Sequence, residues 1–339
     1  MSFAFLLLSL GLCACTGGRS DGGDGGDGGD GGDGGGEPGA GHYFPAGAIW
    51  NRDISQLAPD PRSEAIIGWL DGHGFGNDRF QVDFSLELAR ADASTPRRAF
   101  QPTQDFYSPD CDHVEVPVPE DAVLEGESGQ ACTQDGDCHL LVHETDEGRL
   151  YEMWRADLRG KDFDGGCLAV WDLGRVYGPE GRGEQCTSAD AAGYPISPLL
   201  FDADELAAGE VPHAIRFILP NTAIRAAEYV HPASHSTGAA SGPADAPPYG
   251  AQLRLRADFP LESLPNEGAR VVARALQRYG MFLADGGTVA LTARSDRSTT
   301  AKWADHLGPH DLEAIRPADF ELMPLGDAIP LTYDCVRVD

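Results

Sequence analysis

The sequence predicts an α+β domain that is predominantly β: a compact antiparallel sheet, sandwich or barrel-like core with a few short helices. Two observations predict it. Apolar runs of four to nine residues, separated by turn residues, recur along the chain, and they outnumber the segments with helical periodicity. In chain order, strands are expected at residues 80–88, 139–144, 149–155, 167–173, 213–219, 251–259, 281–284 and 288–294. Thr145-Asp-Glu-Gly148 joins the second and third as a hairpin. Helices are expected at 62–70, at 202–208 before Gly209, at 266–279 and at 310–315. The third is the clearest, with Asn266 as N-cap, Val271, Val272, Ala275 and Leu276 on one face, and Gly280 as the stop. Residues 89–131 are rich in Pro, Asp and Glu and read as a loop-rich insertion held by Cys111 and Cys132.

Ahead of this domain the composition changes. Of 43 glycines in 339 residues, 15 fall between 17 and 41, where Gly-Gly-Asp repeats. Glycine loses the most backbone entropy on ordering and the spaced carboxylates repel, so residues 15–41 are expected to form a flexible tether. Calcium-binding β-rolls need an apolar residue in each repeat, and this repeat has none. Residues 3–12 form an apolar run too short to cross a bilayer but long enough for a signal-peptide core. Leu12-Cys13-Ala14-Cys15 after it resembles the lipobox of bacterial lipoproteins. That resemblance implies a signal peptide at 1–14, lipidation of Cys15, and a single exported domain at 42–339. Thr16 in place of Asp after the cysteine favours the outer membrane by the same analogy. No Lys or Arg precedes the apolar run, so the natural start is expected upstream of Met1.

The net charge is −29, and from residue 42 onward it is still −24, with 48 acidic against 24 basic residues. Such a surface is repelled by phosphate backbones and anionic headgroups, which argues against nucleic acid and against membrane attachment other than through the lipid. A monomer is expected. With Cys13 lost in the leader and Cys15 acylated, Cys111, Cys132, Cys138, Cys167, Cys186 and Cys335 remain, an even number that reads as three disulfides. The expected pairs are Cys132 with Cys138, Cys167 with Cys186, and Cys111 with Cys335. Zinc would need closer Cys-x-x-Cys spacing, and Asp135 and Asp137 read as a solvated turn rather than calcium ligands. No nucleotide-binding glycine loop is present, and neither metal nor cofactor is expected.

Several polar residues stand out against these apolar runs. His139 and His143 lie on one face of an expected strand, with Glu152 nearby, a combination suited to acid–base chemistry. Trp171-Asp172 ends an apolar strand, where an aromatic and a carboxylate can meet a substrate. Thr187-Ser188-Ala-Asp190-Ala-Ala-Gly193 surrounds Asp190 with small residues that permit close backbone approach. His213-Ala-Ile-Arg216-Phe217 puts His213 on the apolar face of a strand and Arg216 on the other. In His231-Pro-Ala-Ser-His235, Pro232 opposes a helix that would join both imidazoles on one metal, leaving His235 as a substrate contact. Neither Gly-x-Ser-x-Gly nor His-Glu-x-x-His occurs, against serine hydrolase and zincin chemistry.

These segments, with Phe44-Pro45, Trp50-Asn51, Leu150-Tyr151-Glu152, Pro195-Ile196, Gly250-Ala251 and Tyr279-Gly280-Met281 with Ala284-Asp285, resemble a largely uncharacterised family of exported bacterial proteins common in soil organisms. Its members often occur beside carbohydrate-binding modules, so the resemblance implies a polysaccharide ligand. The expectation is then a carbohydrate-active enzyme, a hydrolase or lyase. Asp190 and Glu152 would act as carboxylates, His139, His213 and His235 as acid–base or positioning groups, and Arg216, Trp171 and Asp172 as substrate contacts. On this expectation the five catalytic candidates share one cleft, and Asp190→Asn stops turnover without moving Tm. The alternative is a surface-tethered binding or structural lipoprotein in which the same residues are buried hydrogen-bond partners.

Overall fold

The computed structural model describes residues 43–134 and 136–338, all within one compact unit, Gly35–Asp339. The leader, the Cys15 lipidation site, the Gly-Asp tether and Asp135 lie outside the described residues.

Among the described residues strands dominate, and three α-helices accompany them. Ten strands build the two larger sheets: β1 (Val82–Leu86), β2 (Leu88–Ala91), β3 (Leu140–Glu144), β4 (Arg149–Met153), β5 (Leu168–Asp172), β6 (Ile215–Leu219), β7 (Gln252–Leu255), β8 (Met281–Gly286), β9 (Leu291–Arg294) and β10 (Phe320–Leu322). The six-stranded sheet runs β1-β9-β6-β8-β7-β10 and the four-stranded one β5-β4-β3-β2. The predominantly β α+β class is as expected, and the six-stranded sheet within it is mixed rather than antiparallel. β1 lies parallel to β9 and β6 parallel to β8, whereas β7 is antiparallel to β8 and β10. A parallel pair needs a long crossover, and the chain between β6 and β8 supplies it with β7 and the helix α3 described next.

The helices are α1 (Ser63–Asp71), α2 (Ala203–Ala208) and α3 (Glu267–Arg278). Asn266 caps α3 by accepting the Ala269 N–H, and Val271, Val272, Ala275 and Leu276 are buried along it. Asp202 and Glu205 form a reciprocal capping box on α2, which ends at Gly209 in the left-handed region. The helix expected at 310–315 is instead a run of tight turns, with Glu313 N–H bonded to the His310 carbonyl and Ile315 N–H to Leu312. Pro309 and Pro317 bracket too short a stretch for helical propagation. The helical look of that segment came from Leu312 and Ile315, which are buried as turn residues in the core.

The insertion at 89–131 begins with strand rather than loop, because Leu88–Ala91 adds in parallel to β3. Beyond it, Phe100, Val116 and Leu124 pack with Leu140, Val142, Met153 and Leu168 in a second apolar cluster, separate from the main core. The disulfides are Cys111–Cys167, Cys132–Cys138 and Cys186–Cys335, so the short loop closes as expected while the other two pairings are corrected. Sheet edges decide the exchange. Asp112 N–H bonds the Leu168 carbonyl, which brings Cys111 against Cys167, and Gly183–Glu184 pairs antiparallel with Val336–Arg337, which brings Cys335 to Cys186.

Candidate functional site

A cleft of about 690 Å³ opens over the C-terminal part of β8, walled by the turn 187–193, by Phe106, Tyr107 and Trp154, and by Tyr333. Its floor depends on an irregularity in the central strand pair. β6 and β8 run in register from Ile215 opposite Met281 to Phe217 opposite Leu283, and then slip so that Ile218 faces Asp285. Ala284 is the residue passed over, and its carbonyl accepts the Ala192 N–H at 2.9 Å. The bulge therefore docks the turn 187–193 directly onto the sheet.

Small residues let the turn come this close. Ser188 Oγ donates to the Tyr194 carbonyl and receives the Asp190 N–H, while Gly193 N–H returns to the Asp190 carbonyl. Gly193 has φ +80°, and a Cβ there would sit 2.1 Å from Ser234 Oγ. So folded, the turn presents Asp190 to Arg216 from β6, whose Nε and Nη2 donate to the two carboxylate oxygens at 3.1 and 2.9 Å. Arg216 Nη1 donates to Thr292 Oγ1 of β9, and its Nη2 also lies 3.8 Å from Asp285 Oδ2. Two carboxylates thus share one guanidinium, but unequally: the Asp190 side chain is fully enclosed, whereas that of Asp285 is 27% exposed to the cleft. Burial raises the Asp285 carboxyl, the Asp190 charge adds to it, and Arg216 only partly opposes them, leaving it at about 7.

His235 lines the same cleft, with Nδ1 2.9 Å from the Ala191 carbonyl. Burial holds it below the usual histidine range, so the ring is neutral near pH 7; its Nδ1–H donates to that carbonyl and Nε2 keeps a lone pair. Tyr333 meets it edge-on at 5.8 Å. Asp110 accepts the Thr187 N–H, and Asp137 accepts the Trp154 indole N–H at 2.9 Å, fixing one aromatic wall.

Of the residues singled out in the sequence, Asp190 and His235 line this cleft. His139 stands behind it: Nε2 lies 2.9 Å from the Ala189 carbonyl and Nδ1 2.6 Å from Glu125. Burial alone would lower this imidazole, but the Glu125 carboxylate outweighs it and raises it to about 9, so His139 is a cation clamping the turn. Glu152 is fully buried and holds the next segment, accepting Ile196 N–H, Ser197 N–H and Ser197 O–H. The expected convergence of five catalytic side chains is corrected: only Asp190 and His235 line the cleft, His139 and Glu152 support it from behind, and His213 lies away from it. His213 precedes β6, while Asp285 ends the parallel strand β8, so the two sit at opposite ends of the sheet; His213 pairs there with Glu205 at 3.1 Å. Trp171 is buried in the main core. Asp172 faces solvent and accepts the Gly174 N–H, closing a turn rather than meeting the cleft, and Arg216 lies beneath the floor rather than in it.

Asp285, Asp110 and Asp137 were missed as site residues. Asp285 had a faint signal, a carboxylate ending a buried strand just before Gly286-Gly287. Glu127, Cys132 and Cys138 lie close enough for a metal, but both cysteines are spent in a disulfide. No protein-family model, curated protein or solved structure matches this chain.

Proposed function

We propose that this protein is an envelope lipoprotein, anchored through Cys15, whose exported domain hydrolyses a polysaccharide that carries no acidic groups. One observation carries the reading: Asp285, at about 7, faces an aromatic-walled cleft together with a neutral His235. A carboxyl that stays protonated near neutrality is suited to donate to a leaving oxygen, and an unprotonated imidazole to receive a proton from water. In this reading the Asp285 proton passes to the glycosidic oxygen as its bond to the anomeric carbon breaks. Water forms the new bond to that carbon and gives its proton to His235 Nε2. Burial and the fixed negative charge of Asp190, held by Arg216, keep Asp285 protonated, and His139 positions the turn bearing Asp190. A uronate substrate, and with it elimination, is disfavoured because the described residues lining the cleft include four acidic side chains and no Arg or Lys to offset repulsion of the sugar carboxylate.

The test is release of reducing ends from neutral and amine-bearing polysaccharides by the exported domain. Asp285→Asn is expected to lower kcat by about 10²-fold or more while the protein stays folded. Absence of turnover by the wild type would overturn the hydrolase reading, and saccharide binding without turnover would favour the tethered binding protein. Fatty-acid labelling that Cys15→Ser abolishes tests the anchor.

A further inference from the structure

We propose that the cleft selects a glycan bearing free amines, a glucosamine-type polymer with ammonium groups, over its uncharged counterpart. The proposal rests on the reading of this cleft as a glycan-hydrolysing site and names its substrate class.

Four acidic side chains line the cleft, Asp110, Asp137, Asp190 and Asp285, of which Asp285 holds its proton near neutrality and the other three supply the negative field. Asp190 is matched by Arg216 beneath the floor, and at 3.8 Å the same guanidinium is too distant to hydrogen-bond Asp285. Asp110 accepts the Thr187 N–H and lies near Arg182 and Arg337, whereas Asp137 accepts the uncharged Trp154 indole N–H and faces the His139 cation, so among the described residues Asp137 is the carboxylate without an arginine partner at the cleft. An uncharged glycan gains little from such a field, an acidic one is repelled, and a cationic one is drawn in. The whole exported domain, at −24, carries the same sign.

Aromatic surface supplies the second half of the argument. Trp154, Tyr107, Phe106 and Tyr333 give apolar faces for the C–H side of a sugar ring, and indole attracts ammonium through its π face. Trp154 already holds one cation this way, with the Arg155 guanidinium 5.4 Å from its ring centroid. Because Asp137 bonds the indole nitrogen of the same tryptophan, a stacking plate and a carboxylate are fixed side by side, a pairing that suits an amino sugar. The two ends of the cleft are also coupled. Asp137 is among the charges that raise Asp285, so an ammonium at Asp137 relieves part of that repulsion. The alkaline limb of kcat should then lie at lower pH for the amine-bearing substrate.

The experiment compares β-1,4-linked glucosamine and N-acetylglucosamine hexasaccharides with the exported domain, at about 20 mM and about 0.5 M salt. The expected result is a kcat/KM at least about tenfold higher for the amine form at low salt, a ratio that shrinks at high salt, and a ratio near one in Asp137→Asn, whose amide oxygen can still accept the indole N–H. Equal rates without salt dependence overturn the selectivity and leave the hydrolase reading standing. If neither hexasaccharide is cleaved, the hydrolase reading fails, and calorimetry decides the selectivity separately. Tighter binding of the amine form that Asp137→Asn removes upholds it, and equal or no binding overturns it.

Discussion

Asp285 owes its behaviour to burial and to the geometry of two neighbours, Asp190 and Arg216. It lies near the buried Asp190 charge, and the guanidinium that should offset this is committed to Asp190 by two hydrogen bonds. A consequence for stability follows, because the unfolded carboxyl titrates near 3.8 and the folded one near 7. Between those values the native state holds a proton that the unfolded chain has released. Stability contributed by this group is therefore full below about pH 4 and is lost as pH rises through 7. Asparagine has no proton to lose, so Asp285→Asn should be more stable than the wild type at pH 8, by about 2–4 kcal/mol, with the curves converging toward pH 4. Urea titrations of both proteins across this range check it, and parallel pH profiles would refute the placement of Asp285.

At the scale of elements, the site is a turn docked on a bulge, and its parts were unequally legible in the sequence. The segment 187–193 was visible as a cluster of small residues around one aspartate, since close backbone approach requires absent side chains. Eight of the ten strands were visible as apolar runs, while β2, inside the expected loop-rich insertion, and the three-residue β10 were not; the N-cap of α3 and the glycine that ends α2 were visible because such signals act within their own turn. The slip between Phe217 and Ile218 was invisible: it depends on Ala192 competing for the Ala284 carbonyl, a contact made across more than ninety residues of chain. Without the slip, nothing distinguishes Asp285 from a carboxylate that merely caps a strand end. The parallel alignment of β6 and β8 was equally hidden, and with it the separation of His213 from the cleft. Geometry also revises the expectation for Asp190→Asn. That side chain is the turn's tie to the sheet, so its replacement leaves Arg216 buried without its partner and lowers Tm together with activity. Asp285, partly exposed and held by no short ion pair, is the position where chemistry can be separated from folding.

For the molecule as a whole, the cleft is a joint between distant parts of the chain, and the disulfides sit at its edges. Cys167 lines it and is tied to Cys111, whose neighbour Asp110 lines it too. Tyr333 reaches it from the C-terminal segment, which is fastened two residues later by Cys186–Cys335 and by the pairing of Gly183–Glu184 with Val336–Arg337. This bridge spans 149 residues, so in a chain-entropy account it restrains the unfolded state strongly, with a stabilisation of about 2–5 kcal/mol. Cys132–Cys138 spans only 6 and should matter less for global stability. The double replacement Cys186→Ser with Cys335→Ser is therefore expected to lower the urea midpoint more than Cys132→Ser with Cys138→Ser. Its effect on function should also be distinct. Releasing the C-terminal segment loosens Tyr333, a wall of the cleft, but leaves Asp285 and Arg216 on strands that the bridge does not touch, while the turn that follows Cys186 stays held to them by the Asp190–Arg216 pair and the Ala192 N–H to Ala284 carbonyl bond. A rise in KM with kcat largely retained is the expected signature in the protein that remains folded, read by steady-state kinetics well below its melting transition. An equal fall in kcat would place Tyr333 or its segment in the chemical step instead of in binding.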